Sequence, residues 1–152
     1  MKPTRTLAWA AAAGVCLALG GACVALSAGN PVEERQATMK HVGQTMKEAT
    51  GFTSAQKPYD AAKVKELMDG LAGDAKKLKG LYPADSASDP KTAADPKVWQ
   101  NKADFEKRLA EMATLASAAA KAKDTDSFKA AFKSVGETCK SCHDVYRMKK
   151  KA

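Results

Sequence analysis

Residues 124–147 read DTDSFKAAFKSVGETCKSCHDVYR, and the rest of the chain is best understood from this stretch. Apolar side chains recur in it every three or four residues, which predicts an amphipathic helix. The Asp-Thr-Asp at its start is typical of a helix N-terminal cap. We therefore expect both cysteines of the stretch on the buried side of the last helix. The residues that share this face are Phe128, Phe132, Val135, Cys139, Cys142 and Tyr146.

Cys139-Lys140-Ser141-Cys142-His143 is a C-x-x-C-H motif, the attachment signal for c-type haem. Two thiols add across the two vinyl groups of one porphyrin, so they must lie a short, fixed distance apart. Positions i and i+3 of a helix meet this need because they lie on one face. The adjacent His143 can supply a nitrogen ligand to the iron. The motif thus predicts one covalent haem c, held at Cys139 and Cys142 on the buried side of the last helix.

Zinc binding, a plain disulfide and a redox-active dithiol are the other interpretations of this cysteine pair. Zinc sites usually need four nitrogen or sulfur ligands. The only other histidine is His41, and the other cysteines, Cys16 and Cys23, lie in a segment that we expect to be removed. A thioredoxin-like pair would be expected beside a βαβ pattern, and the chain has no convincing strands. Haem attachment is therefore favoured, with zinc or a disulfide as minor alternatives.

The N-terminal segment, residues 1–29, is predicted to be a cleaved signal peptide. A basic start precedes an uncharged apolar run over residues 7–26, and small residues follow. An uncleaved membrane anchor is the main alternative because the run is about 20 residues long; lipidation at Cys23 is a weaker one. Cleavage leaves a single domain over residues 30–152. Covalent haem c is attached outside the bacterial cytoplasm, so we expect the periplasm.

The net charge of the 152-residue chain is +8, and the basic residues are spread along it. No basic stripe is interleaved with aromatic residues, so nucleic-acid binding is not indicated. A spread positive charge is compatible with a solvated surface or with weak docking to acidic redox partners.

Three further amphipathic helices are predicted before the last one. The first runs from about Val32 to Thr50 and ends at Gly51. The second starts near Asp60 and has a clear buried face at helical spacing. The third starts with Asp95-Pro96, a cap followed by proline at the first helical position, and continues to about Lys123. The pattern predicts an all-α domain of four helices, with a long connection between the second and third.

Four long helices with the haem motif in the last one resemble the class II c-type cytochromes, the cytochrome c prime family. The resemblance covers nearly all of the chain after residue 29, and it implies an antiparallel four-helix bundle with one haem c. It also implies homodimers formed through the first two helices. The local features that carry the resemblance are Arg35-Gln36, Leu81-Tyr82-Pro83, Val98-Trp99, and the motif followed by Tyr146-Arg147.

The resemblance implies two branches that differ at the sixth position on the iron. In one branch an apolar residue of the first helix blocks that position, and only small gases enter. In the other a methionine binds the iron, and this residue typically lies four after the helix-one arginine. Here that residue is Met39, so the resemblance favours the low-spin branch with His143 and Met39 as axial ligands. Without the resemblance, ordinary core packing is the favoured role for Met39.

These observations predict a periplasmic one-electron carrier, rather than an enzyme, that serves redox partner proteins. No membrane partner is expected unless the signal segment is retained. A five-coordinate protein that binds nitric oxide or carbon monoxide is the main alternative; a weak haem peroxidase is disfavoured because the first helix lacks a distal His–Arg pair. Arg35, Gln36 and Arg147 are candidate contacts for the haem propionates, since the arginine fork suits carboxylates. Solvated side chains are the alternative for both arginines.

Overall fold

The computed structural model describes residues 29–54 and 56–149, and these residues form an antiparallel four-helix bundle. This confirms the predicted all-α fold. Within these two ranges there is no β-strand, and one isolated bridge pairs Ala94 with Arg147. The elements are α1 (Pro31–Thr53), α2 (Ala61–Lys79), a 3-10 helix (Ala84–Ser88), the short α3 (Lys97–Gln100), α4 (Lys102–Ala119) and α5 (Thr125–Tyr146).

Side-chain caps begin two of the long helices at the predicted positions. Asp60 accepts a hydrogen bond from the backbone N–H of Lys63 at 3.0 Å at the start of α2. At the start of α5, Asp124 accepts from the Ser127 N–H at 2.8 Å, and Ser127 Oγ accepts from the Asp124 N–H at 3.3 Å. This reciprocal capping box satisfies N–H groups that have no partner inside the helix.

The interior divides into two groups of packed side chains, which we name the aliphatic cluster and the aromatic cluster. The aliphatic cluster contains mostly Ala, Val, Leu and Met from all four long helices, with Phe52 and Phe128 among them. It includes most of the predicted buried face of α2, which confirms that prediction. The aromatic cluster lies where the α2–α3 connection meets the bundle. Its buried members are Leu78, Tyr82, Val98, Phe105, Leu109 and Tyr146.

The first helix is longer than predicted. Gly51, which was expected to end it, lies inside α1 and is buried. A glycine in a helix interior costs about 1 kcal/mol relative to alanine. Continuing the helix, however, brings Phe52 into the aliphatic cluster with only 4% of its surface exposed, and burying such a side chain contributes about 1.5–3 kcal/mol. The predicted end was wrong because packing outweighs local helix propensity.

The third predicted helix is divided at Asn101. This residue leaves the helical conformation, with φ −122° and ψ 46°, between α3 and α4. Asparagine favours such positions because its side chain competes for backbone hydrogen bonds. The periodic pattern conceals the break because Val98 and Phe105, one heptad apart, are both buried in the aromatic cluster. The predicted end near Lys123 was also wrong, since α4 ends at Ala119.

The predicted signal peptide lies outside the described residues, apart from Gly29. Among the helices that the structure does describe, none combines the length and the apolar character needed to cross a membrane.

Candidate haem-attachment site

The two cysteines of the motif lie one turn apart on α5, and each contacts a different part of the interior. Both are half-buried, and no disulfide joins them. Cys139 packs against the aliphatic cluster, and Cys142 packs against the aromatic cluster. Burial raises the pKa of the thiol at each position. A group bonded to both sulfur atoms would therefore lie at the boundary between the two clusters.

His143 follows directly in α5, close to its C-terminal end. Much of its side chain is exposed, yet the surrounding protein desolvates the imidazole enough to lower its pKa, and the neighbouring Arg147 charge lowers it further. The neutral imidazole is the form that binds a metal. Its environment therefore favours the protonation state that an iron ligand needs.

Met39 lies at the edge of the buried face of α1. It is half-buried and packs against the aromatic cluster, the same cluster that Cys142 contacts. Met46, one heptad later, packs against the aliphatic cluster, as Cys139 does. The centre of the buried face of α1 is partly polar, because Thr38 and Thr45 are both buried there. The structure thus brings Met39 and the second cysteine of the motif against one set of side chains.

Arg35 is among the most deeply buried polar residues that the structure describes. Its guanidinium group donates hydrogen bonds to Leu81 O at 3.1 Å, to Ser86 Oγ at 2.9 Å and to Ser86 O at 3.3 Å. A fourth bond reaches Thr92 Oγ1 at 2.5 Å. These contacts bind α1 to the α2–α3 connection. Arg35 therefore has a structural role. Its contact with a haem propionate remains a prediction.

The other two predicted propionate contacts are exposed. The Gln36 amide donates to Lys91 O at 2.7 Å, which adds another bond between α1 and the α2–α3 connection. Arg147 lies just after α5, one turn from His143, and its backbone N–H donates to His143 O at 3.3 Å. Both propionate roles remain predictions.

Sequence reasoning missed a hydrogen-bonded group that joins α4 to the motif. Tyr146 Oη donates to Asp104 Oδ2 at 2.6 Å, and Arg108 Nε donates to the same oxygen at 2.7 Å. Arg108 Nη1 also reaches Ser141 O, inside the motif, at 3.4 Å. The i, i+4 spacing of Asp104 and Arg108 is a readable signal of their ion pair. The participation of Tyr146 depends on helix packing and has no such signal.

The donor set fits a covalently bound haem. Two thiols lie one turn apart on one helix face and pack against the apolar side chains of the two clusters, and a histidine biased toward its neutral form follows. Such surroundings suit a large, flat, mainly apolar ring, and the sulfur and nitrogen atoms match the linkages of haem c.

The family model described as Cytochrome C′ matches residues 30–147. The chain belongs to the cytochrome c′ family. Cytochrome c′ from Rhodopseudomonas palustris is 37% identical over 131 residues, which cover 86% of this chain and 90% of the relative. Cytochrome c-556 from Agrobacterium fabrum is 34% identical over 137 residues, covering 89% and 90%. The solved structure of cytochrome c′ from R. palustris matches with a TM-score of 0.76 and 38% identity, over 80% of this chain and 98% of that one.

Membership of this family makes the protein a haem protein with one covalent haem c. The relatives carry both the cytochrome c′ and the cytochrome c-556 names at nearly equal identity. Overall similarity therefore does not separate an electron carrier from a gas-binding protein, and the distinction depends on individual residues around the iron.

Proposed function

We propose that this member of the cytochrome c′ family is a periplasmic one-electron carrier in which Cys139 and Cys142 hold the haem and His143 and Met39 bind its iron. The observation that carries the proposal is the position of Met39. Its half-buried side chain on α1 contacts the same aromatic cluster as Cys142 on α5. Two helices that are far apart in sequence thus present a thioether and the haem-binding motif to one set of side chains.

Each residue of the proposed site has a separate chemical task. The haem supplies a reversible one-electron change at its iron. The two cysteines anchor it covalently, and His143, whose pKa is lowered by desolvation, offers the lone pair that ligation requires. The Met39 thioether is a soft, neutral ligand that stabilises reduced iron and raises the reduction potential. Apolar side chains of both clusters exclude water.

The proposed partners are redox proteins that carry an acidic surface. Removal of Lys2 and Arg5 with the signal peptide lowers the net charge from +8 to +6, and this positive charge favours weak encounter complexes with such proteins. A homodimer formed through α1 and α2 and the periplasmic location both remain predictions of the same proposal.

Replacement of Met39 by leucine tests the proposal directly. The wild-type ferric protein is expected to be low-spin, with the weak near-red methionine-to-iron charge-transfer band. Met39→Leu should make the iron five-coordinate and high-spin and lower the reduction potential, because the soft axial ligand is lost. Volume is nearly conserved, so the packing cost should stay below about 1.5 kcal/mol. Optical spectra in both redox states and a potentiometric titration provide the measurements.

Met46→Leu is the matched control. It makes the same substitution on the same helix, but Met46 packs against the aliphatic cluster, so its spectrum and potential should equal those of the wild type. A wild-type protein that is already high-spin, with a spectrum that Met39→Leu leaves unchanged, would refute the electron-carrier proposal. Gas binding at a five-coordinate iron would then become the favoured function.

A further inference from the structure

Arg35 makes a set of contacts that an ordinary surface arginine does not make. Only 4% of the residue is exposed, and its two terminal nitrogens make four hydrogen bonds to Leu81, Ser86 and Thr92. All four acceptors are neutral oxygen atoms. A buried cation is costly unless its geometry and hydrogen bonding are good, so the planar fork of arginine fits this place and few other side chains would.

The connection that Arg35 holds is bound from three helices. The backbone carbonyls of residues 81–83 accept, in chain order, from Arg35 at 3.1 Å, Lys102 at 3.1 Å and Trp99 at 3.0 Å. The guanidinium carbon of Arg35 also lies 4.9 Å from the centre of the Tyr82 ring. Contacts of this kind attract a cation to the ring face. Side chains of α1, α3 and α4 are therefore all hydrogen-bonded to the short segment, residues 81–83, that follows α2.

Two further bonds attach the first turns of α1 to the same connection. The Gln36 amide donates to Lys91 O at 2.7 Å, and Lys91 Nζ lies 3.4 Å from Glu33 Oε1. These residues are exposed, so each bond contributes little to stability. Because Glu33 and Gln36 lie on either side of Arg35 in the sequence, we expect these two contacts to restrict rotation of α1 about its own axis.

Met39 lies one helical turn after Arg35, and residues at i and i+4 are neighbours on one face. A helix is stiff over one turn, so a shift or rotation of α1 at Arg35 moves the Met39 thioether by a similar amount. We propose that Arg35 is a positioning residue that clamps α1 to the α2–α3 connection and thereby holds Met39 at the iron. This inference rests on the proposed ligation by Met39.

Two variants weaken the clamp from opposite sides. Arg35→Lys keeps the positive charge but loses the fork. Thr92→Val leaves Arg35 in place but removes the oxygen that accepts from it and, at 3.2 Å, from the Ala94 N–H. Carbon monoxide must displace Met39 from the reduced iron, so its association rate reports how firmly the thioether is held. We expect this rate to rise about tenfold in Thr92→Val, the factor equivalent to one lost net hydrogen bond, and by at least as much in Arg35→Lys, which loses the fork that makes all four bonds. The near-red band of the ferric protein should weaken in parallel.

Thr114→Val is the matched control for Thr92→Val. The Thr114 hydroxyl is exposed and bonds only to Ala110 O of its own helix, at 3.0 Å, so the carbon monoxide rate should not change. Melting temperatures of all variants identify effects on stability alone. If Arg35→Lys does not fold, Thr92→Val still tests the clamp.

The outcomes separate this inference from the proposed function. A wild-type protein without the near-red band overturns both, because Met39 is then not a ligand. A wild-type protein with the band, whose Arg35→Lys and Thr92→Val variants melt at lower temperature but keep the wild-type carbon monoxide rate, overturns the positioning role alone. A raised rate in both variants with an unchanged Thr114→Val control supports it.

Discussion

The aliphatic and aromatic clusters stabilise one bundle by different means. The aliphatic cluster packs small and branched side chains from helix against helix. The aromatic cluster packs rings edge to face, with Tyr82 and Phe105 at 4.7 Å and Phe105 and Tyr146 at 5.3 Å between ring centres. It also receives the buried Arg35 and the bonds of the α2–α3 connection. The aliphatic cluster also has directional contacts, since Tyr59 Oη donates to Ala122 O at 2.6 Å, but such contacts are more numerous in the aromatic cluster.

The haem motif spans this division. Cys139 contacts the aliphatic cluster and Cys142 the aromatic cluster, while the proposed ligand Met39 and the Arg35 clamp both belong to the aromatic side. We infer that the aliphatic side mainly provides stability and that the aromatic side determines the environment of the iron. The predictions that follow test this difference.

Loss of the cysteines should have the largest effect, since it removes the link to both clusters. Cys139→Ala and Cys142→Ala should each reduce covalent haem, and the double variant should abolish it, because each sulfur forms one thioether bond. Acid–acetone extraction measures the covalent fraction. Pigment that leaves the wild-type polypeptide on extraction would contradict the attachment site itself.

Truncating one phenylalanine in each cluster compares the two directly. Phe128 and Phe105 are both buried, so Phe128→Ala and Phe105→Ala should each cost about 3–5 kcal/mol of unfolding free energy. Only Phe105→Ala should also alter the spectrum and potential, because Phe105 contacts Tyr146, one turn after Cys142. Phe128 lies 11 residues before Cys139 on α5, about 16 Å along the helix.

Urea unfolding and potentiometry of the two variants provide the measurements. Equal spectral changes in both variants would contradict our inference that the aromatic cluster, and not the aliphatic cluster, determines the environment of the iron.

The smallest expected effect is a loss of stability at alkaline pH, and it arises from Tyr82 in the aromatic cluster. Burial raises the pKa of Tyr82 to about 12, with the nearby Arg35 charge opposing the rise. In the unfolded chain the phenol ionises near pH 10. The folded state therefore holds its proton more tightly, so this contribution to stability is complete below about pH 10 and is lost as the pH rises toward about 12, a change of about 2–3 kcal/mol.

Tyr82→Phe should remove this contribution, so the variant should lose less unfolding free energy than the wild type between about pH 9 and about pH 12. The difference between the two urea-unfolding series gives the contribution of the Tyr82 hydroxyl. Parallel pH profiles for wild type and variant would show that Tyr82 is not protected from ionisation as described.

Local patterns in the sequence were sufficient to predict the motif, the start of α2 near Asp60, the cap of α5, the order of four helices and the buried face of α2. Each depends on residues within one or two turns of each other, so spacing alone carries the information. The C-x-x-C-H motif is the strongest case, because thioether chemistry requires its spacing.

Only the tertiary structure decided the features that depend on distant partners. The hydrogen bonds of Arg35 cross 46 to 57 residues of sequence, so nothing near Arg35 indicates whether it is solvated or buried. The helix α1 continues past Gly51 because Phe52 packs into the aliphatic cluster. The break at Asn101 lies between Val98 and Phe105, whose heptad spacing is that of a continuous helix. In each case the stabilising contacts form only when the helices pack together, so local helix propensity does not predict them.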